Sequence, residues 1–409
     1  MHRDDDHAPA HPAHAHPAPS APGPFTAASP GAVPHGTAPP PGAPAPRRRG
    51  PRPVPPGREY HQVLATDRRQ VWRGIAALAL LMGGMLVFTF GFAFVGLFVD
   101  LMLGRDTIML GGDEYTPVLH ASTLGGLVLL LPWSMLIQRW LYGVRGASLH
   151  SVLSAFRMEV FGRALLVILP IWTVYMAVFT ALAPMPEADW PFRDLVAIFA
   201  LTVLLAPLQS AGEEYGFRGL AFRVAASWGR GPRTALVLGA VVSSLLFMTA
   251  HLALDPWLNV YYFTMGVTLS LITWRTGGLE VAVVIHAVNN TIAFLLSVVL
   301  RSDFAEGFDR SAGAGSVAML VPCVLLVAIT AVVWFRTRGT GPALTPAEYG
   351  GSTSGAKAGA EAGHGTPGDG VQAAGAGGGA PGSGAWGPGG PAPSGSADGR
   401  GGRLPDHDS

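Results

Sequence analysis

Between residues 75 and 335 the chain passes through eight apolar stretches, near 75–103, 120–142, 163–183, 194–226, 234–254, 257–274, 279–300 and 315–335. Inside hydrocarbon every backbone N–H and C=O must be paired within the structure that carries it, which leaves helices and closed barrels as the spanning forms. At about 1.5 Å per residue, roughly 20 residues of helix cross the ~30 Å core, and each stretch is close to or above that length. The fold class predicted is all-α, a polytopic transmembrane helix bundle of about eight spans over residues 71–338. Composition agrees, since 49% of residues are hydrophobic and 13% are charged even with two polar tails included.

Those tails, residues 1–70 and 339–409, are rich in Pro, Ala and His and in Gly, Ala, Pro and Ser respectively. They lack apolar periodicity and cannot bury enough surface to offset the entropy of ordering, so both are expected to be disordered. Seven of the thirteen histidines fall in the first tail, His2, His7, His11, His14, His16, His35 and His61. Compositional bias accounts for them better than metal capture. No short apolar region with a small-residue cleavage site opens the chain, so the first span is expected to act as the anchor.

Charge adds orientation. Arginines 47, 48, 49, 68, 69 and 73 precede the first span, Arg139, Arg145 and Arg157 follow the second, and Arg230 and Arg233 follow the fourth. Arg275 follows the sixth, and Arg336 and Arg338 follow the eighth, while the alternate connections are acidic or mixed. The positive-inside rule then predicts a multi-pass protein of the cell membrane with both tails cytoplasmic. A formal net charge of +1 with no basic face gives no reason to expect nucleic acid as a partner. The single cysteine, Cys323, excludes an intramolecular disulfide and a thiolate metal cluster.

Four polar clusters interrupt the apolar spans: Glu213-Glu214, Arg218, His251, and His286 with Asn290. An ionisable side chain at the bilayer centre costs about 2.5–3.5 kcal/mol even on the gentler scales, so mutual pairing around chemistry is the economical explanation. On a helix Glu214 and Arg218 share a face and can pair, while Glu213 points about 100° away and is left to exchange a proton. Gly212 and Gly216 leave a flat patch for a neighbouring helix. Phe247 and His251, and His286 and Asn290, repeat the four-residue spacing on two further spans. These groups reach one layer only if the fourth helix runs through Arg218 and Phe222 to a turn near Trp228-Gly229. Glu213 then lies about 20 Å from that turn, and His286 and Asn290 about 12 and 18 Å from Gly278.

Glu-Glu-x-x-x-Arg, Phe-x-x-x-His and His-x-x-x-Asn in this order resemble the CPBP family of intramembrane proteases, also called the Abi or CAAX-protease family. The resemblance covers residues 190–300, with Glu213, Glu214, Arg218, Phe247, His251, His286 and Asn290 in the motif positions. It implies an intramembrane endopeptidase acting on a membrane-anchored peptide or protein. By that analogy Glu213 activates water with His251, Glu214 and Arg218 form a supporting pair, and His286 and Asn290 are metal ligands or oxyanion donors. If a metal is used, zinc held by His251, His286, Asn290 and Glu213 is the candidate, with an open water position. The lack of a His-Glu-x-x-His leaves a metal-free, glutamate-dependent mechanism equally readable. An ion-coupled transporter would also bury Glu, His and Arg, but predicts related halves, which the sequence lacks. A non-catalytic scaffold predicts a lost motif residue, and none is lost. The Gly-, Pro- and Arg-rich composition suits a bacterial chain, in which processing of prenylated proteins is not the expected task.

Overall fold

The computed structural model describes residues 50–66 and 70–347. Most of both tails, residues 1–49 and 348–409, and the basic pair Arg68-Arg69 lie outside the described residues. Regular elements are helical throughout the described part. They are α1 (Val71–Met102), α2 (Pro117–Val128), α3 (Leu130–Ile137), α4 (Met158–Leu182), α5 (Phe192–Glu214), α6 (Phe222–Ala226), α7 (Pro232–Ala250), α8 (Pro256–Thr276), α9 (Glu280–Val299), α10 (Phe304–Gly307) and α11 (Leu320–Thr337).

Local chemistry sets several of these ends. Thr116 caps α2 by accepting from the Leu119 amide, and Asp255 caps α8 by accepting from Trp257 and Leu258. Pro117, Pro232 and Pro256 each stand at the first helical position, where a missing N–H costs nothing. Gly277 ends α8 at φ 69°, a left-handed conformation that glycine adopts without strain. Helices α2 and α3 continue through a π-helical segment, Gln138–Tyr142, into one span. A second π-helical segment, Tyr215–Ala221, joins α5 to α6.

Among the described residues seven helices are long and apolar enough to cross a membrane: Val71–Met102, Pro117–Tyr142, Met158–Leu182, Phe192–Ala226, Pro232–Ala250, Glu280–Val299 and Val317–Thr337. The eighth expected span, near 257–274, is also a helix. Its 21 residues carry tyrosines, threonines and Arg275 that lower its hydropathy below that of its neighbours. Burial explains how such a helix is tolerated, because Tyr262, Thr268, Ser270, Thr273 and Arg275 are all turned inward. The fourth span runs unbroken to Ala226, as the depth argument requires.

The connections gather at two opposite ends of the bundle. At one end Arg52 pairs with Val144, Ser151 with Gly278 and Glu59 with Leu344. Arg157 also lies 2.7 Å from Glu280 there. At the other end Arg105 bridges Glu114 and Asp194, at 2.7 and 2.6 Å. The Leu254 amide donates to the Arg310 carbonyl at 2.7 Å, on that same side. Helix α8 starts at Asp255, whose carboxylate accepts from Gly313, and finishes at Gly277, whose carbonyl accepts from Val152. It therefore makes an eighth passage from end to end.

The expectation of disordered tails over 1–70 and 339–409 is corrected at their inner edges. Residues 50–66 form a strap against the bundle, with Tyr60 and His61 fully buried. The strap is tied to residues 343–347: Gly57 N donates to Thr345 O at 3.0 Å and Thr345 N to Arg58 O at 2.8 Å. Tyr60 supplies the anchor that composition hides, since its ring lies 3.9 Å under the Arg223 guanidinium and its hydroxyl donates to Leu149 O at 2.6 Å.

Position within the bundle follows from which helices are covered. Over their most apolar stretches half of α9 is buried, against 17% for α1 and 11% for α4, so α9 is central and the others face outward. Gly212 lets α5 approach α2 closely: a Cβ there would come within 2.1 Å of the Leu127 carbonyl oxygen. At Gly216 the nearest atom is the Leu81 side chain at 3.3 Å, so the flat patch is used chiefly at its first glycine.

Candidate active site

The end of α5, the π-helical turn after it, the end of α7 and the first half of α9 bring the polar clusters together. Glu213 and Glu214 are buried, and Arg218 is fully buried beside them. The sequence reading places Glu214 and Arg218 one α-helical turn apart, whereas the chain between them has already widened to a π-helix. They still meet, with Arg218 Nη1 3.1 Å from Glu214 Oε1. The N–H is not aimed at that oxygen, however, and Arg218 Nε, Nη1 and Nη2 have no hydrogen-bond acceptor. The guanidinium instead sits 3.9 Å over the Phe247 ring, whose negative face stabilises the cation.

His286 joins the two carboxylates. Its Nδ1 donates to Glu214 Oε1 at 2.7 Å, and its Nε2 lies 3.6 Å from Glu213 Oε2. With Nδ1 carrying the proton, Nε2 of the neutral ring offers a lone pair toward Glu213. The 3.6 Å separation is too long for a direct hydrogen bond. Glu213 Oε2 and Glu214 Oε2 are both buried without partners.

His251 approaches from α7. Its Nδ1 donates to the Phe247 carbonyl at 2.8 Å, which leaves Nε2 as the free ring nitrogen. The imidazole stacks on Tyr262 with centroids 3.8 Å apart. Phe247 stands edge-on between the two histidines, 4.6 Å from His251 and 5.8 Å from His286. His251 is thus linked to the carboxylates through aromatic packing rather than by direct contact.

Asn290 reaches Glu213 indirectly. Trp172 Nε1 and Tyr261 OH donate to Asn289 Oδ1 at 3.3 and 3.1 Å. Asn289 Nδ2 donates to Asn290 Oδ1 at 2.9 Å, and Asn290 Nδ2 to Gln209 Oε1 at 3.0 Å. Gln209 Nε2 then donates to Glu213 Oε1. An indole N–H can only donate, so Trp172 fixes the orientation of Asn289 and, one link after another, of Asn290 and Gln209. The chain ends by holding one oxygen of Glu213 and leaving the other free.

Gln209, Asn289, Trp172, Tyr261 and Tyr262 are the members of this site that sequence reasoning missed. Gln209 stands four residues before Glu213, the same spacing that flagged the other pairs, and that signal was available. Among the described residues no three His, Cys, Asp or Glu side chains are grouped to hold a metal ion. Of the candidate zinc donors, both ends of the Asn290 amide are taken by its neighbours and the Nδ1 atoms of His286 and His251 by Glu214 and the Phe247 carbonyl, while the two Nε2 atoms and Glu213 Oε2 stay open.

Residues 192–292 match the family model described as type II CAAX prenyl endopeptidase Rce1-like. All seven motif residues lie inside that segment. Among curated proteins, the uncharacterized protein YyaK of Bacillus subtilis (strain 168) is 31% identical over 100 residues, covering 23% of this chain and 32% of that protein. An uncharacterized 24.3 kDa protein of Escherichia coli is 32% identical over 112 residues, covering 26% of this chain and 48% of that protein. The chain therefore spans about a third to a half of the length of these curated relatives. No solved structure matches.

Proposed function

We propose that this chain, whose residues 192–292 belong to the CPBP, or CAAX-protease, family, hydrolyses a peptide bond of a membrane-anchored peptide or protein. The observation that carries the reading is the unpartnered, buried Oε2 of Glu213 facing His286 Nε2 across 3.6 Å. A water bridging the two atoms at about 2.8 Å from each would lie to one side of the line joining them. Donating one proton to each acceptor, such a water turns a lone pair outward toward a substrate carbonyl.

Glu213 takes the proton as the O–C bond forms at the carbonyl carbon, and returns it to the amine as the C–N bond breaks. The Gln209 amide holds Glu213 Oε1, so the proton is taken at Oε2. Glu214 holds the His286 ring through Nδ1, and Arg218 balances the charge of Glu214. We assign His251, whose Nε2 is free, to hold the water or the leaving amine. No step is routed through a metal. By the positive-inside rule we read the arginine-rich end of the bundle as the cytoplasmic one.

The test is cleavage of a membrane-anchored peptide library by the purified chain in nanodiscs. Glu213→Gln is expected to lower turnover by roughly 10²–10⁴-fold with unfolding unchanged, and chelators are expected to leave the wild-type rate intact. Cleavage that survives Glu213→Gln would overturn the assigned base. Loss on chelation with recovery on added zinc would overturn the metal-free route.

A further inference from the structure

A groove of about 610 Å³ opens on the outer side of the turn between α6 and α7, far along α7 from His251. Its mouth carries Arg230 and Arg233, both exposed. Neither has a hydrogen bond or ion pair among the described residues. Its floor is apolar, formed by Val237 and Val241, which follow Arg233 at four-residue intervals and are 61% and 37% exposed. That spacing draws one straight stripe, cationic at the top and apolar for about 12 Å below. Trp228 makes the wall. Its indole is wedged against α1 so closely that a Cβ on Gly74 would come within 2.6 Å of the ring, which fixes the wall in place.

We infer that this groove binds an anionic phospholipid, with the phosphate on Arg230 and Arg233 and an acyl chain along Val237 and Val241. The stripe matches an amphiphile in both sign and order: charge at the bundle end, hydrocarbon toward the membrane interior. A zwitterionic headgroup would bring its own ammonium among two unneutralised guanidinium groups. A soluble phosphate would leave the apolar floor uncovered. Arg230 and Arg233 lie outside the peptidase machinery, so the inference stands or falls independently of the proposed activity.

Native mass spectrometry of the full chain in detergent, with equal amounts of phosphatidylglycerol and phosphatidylcholine, reads the site directly. The wild type is expected to retain phosphatidylglycerol in preference. Juxtamembrane arginines contribute about fivefold each, so Arg230→Ala with Arg233→Ala should lower that retention by roughly 25-fold. Val237→Trp fills the groove while keeping both charges, and should also abolish retention. Equal retention by wild type and the double arginine variant would overturn the inference, as would equal retention of the two lipids. Retention unaffected by Val237→Trp, or displacement of the lipid by soluble glycerol phosphate, would overturn it in favour of a free-phosphate site.

Discussion

Replacing Arg218 by methionine removes the one guanidinium beside Glu214 and leaves a carboxylate with zero side-chain exposure held only by the His286 N–H. Removing one partner of a buried ion pair costs about 3–5 kcal/mol, because the remaining charge is neither solvated nor paired. Loss of the contact over Phe247 adds about 0.5–2 kcal/mol, part of which the methionine thioether recovers against the same ring. Uptake of a proton by Glu214 limits the total, so about 3–5 kcal/mol is the expected loss. Glu214→Gln strands the cation instead and should cost a similar amount. Together the two changes leave a neutral site in which the glutamine oxygen still accepts from His286 Nδ1. The double variant should then be about 2–3 kcal/mol more stable than the sum of the singles predicts. Equilibrium unfolding in mixed micelles, followed by tryptophan fluorescence, measures all four corners of the cycle. Additivity within about 0.5 kcal/mol would refute the reasoning, since the 3.1 Å approach would then carry no coupling.

The donor chain from Trp172 to Glu213 predicts a non-additive effect on turnover. Trp172→Phe or Tyr261→Phe alone leaves one donor on Asn289 Oδ1 and should change turnover little, whereas both together free the amides to reverse. The double variant is expected to lose roughly 5- to 30-fold more turnover than the product of the singles, with KM and unfolding unchanged; multiplicative losses would count against a directional chain. The strap is predicted to loosen in acid. Burial pushes the His61 imidazole below its ordinary value of 6.5, with Glu59 opposing, so the folded strap holds a neutral ring. Its stability is therefore full above about pH 6.5 and falls as pH drops below that value and the released strap binds the proton first. Limited proteolysis within residues 50–66 should rise between about pH 7.5 and pH 5 in wild type and stay flat in His61→Phe. An equal rise in both would refute the assignment to His61.

The helical class and the length of the fourth span were legible because bilayer thickness leaves little freedom once apolar runs of about 20 residues are found. The polarity of α8 was visible too, but hydropathy alone cannot say that Tyr262 turns inward against His251 at the end of α7 and Arg275 against Thr337 of α11. Ionisable residues announced the site: Glu213, Glu214, Arg218 and His286 are in contact as their cost inside a membrane demands. Neutral amides gave a weaker signal. Asn289 beside Asn290 and Gln209 before Glu213 cost less in isolation, and only the three-dimensional packing of α4, α5, α8 and α9 shows that they form one chain. The strap over residues 50–66 escaped the sequence reading for another reason. A Pro-rich segment with one buried tyrosine has no periodicity, and its order comes from partners such as Arg223 and Thr345, 163 and 285 positions beyond Tyr60 in the chain.

The pairing of Arg58 with Thr345 brings the backbone back to its starting point. Two peptide segments 287 residues apart exchange hydrogen bonds at 2.8–3.0 Å, so the described chain is close to a closed ring. Force applied to either tail is borne first by this knot of backbone bonds and by Tyr60 beneath Arg223, before any helix is loaded. A few residues suffice to join the segments covalently, and new ends cut into the connection between α4 and α5 would then sit on the opposite side of the bundle. The first and last described segments of the chain thus share one mooring on the bundle.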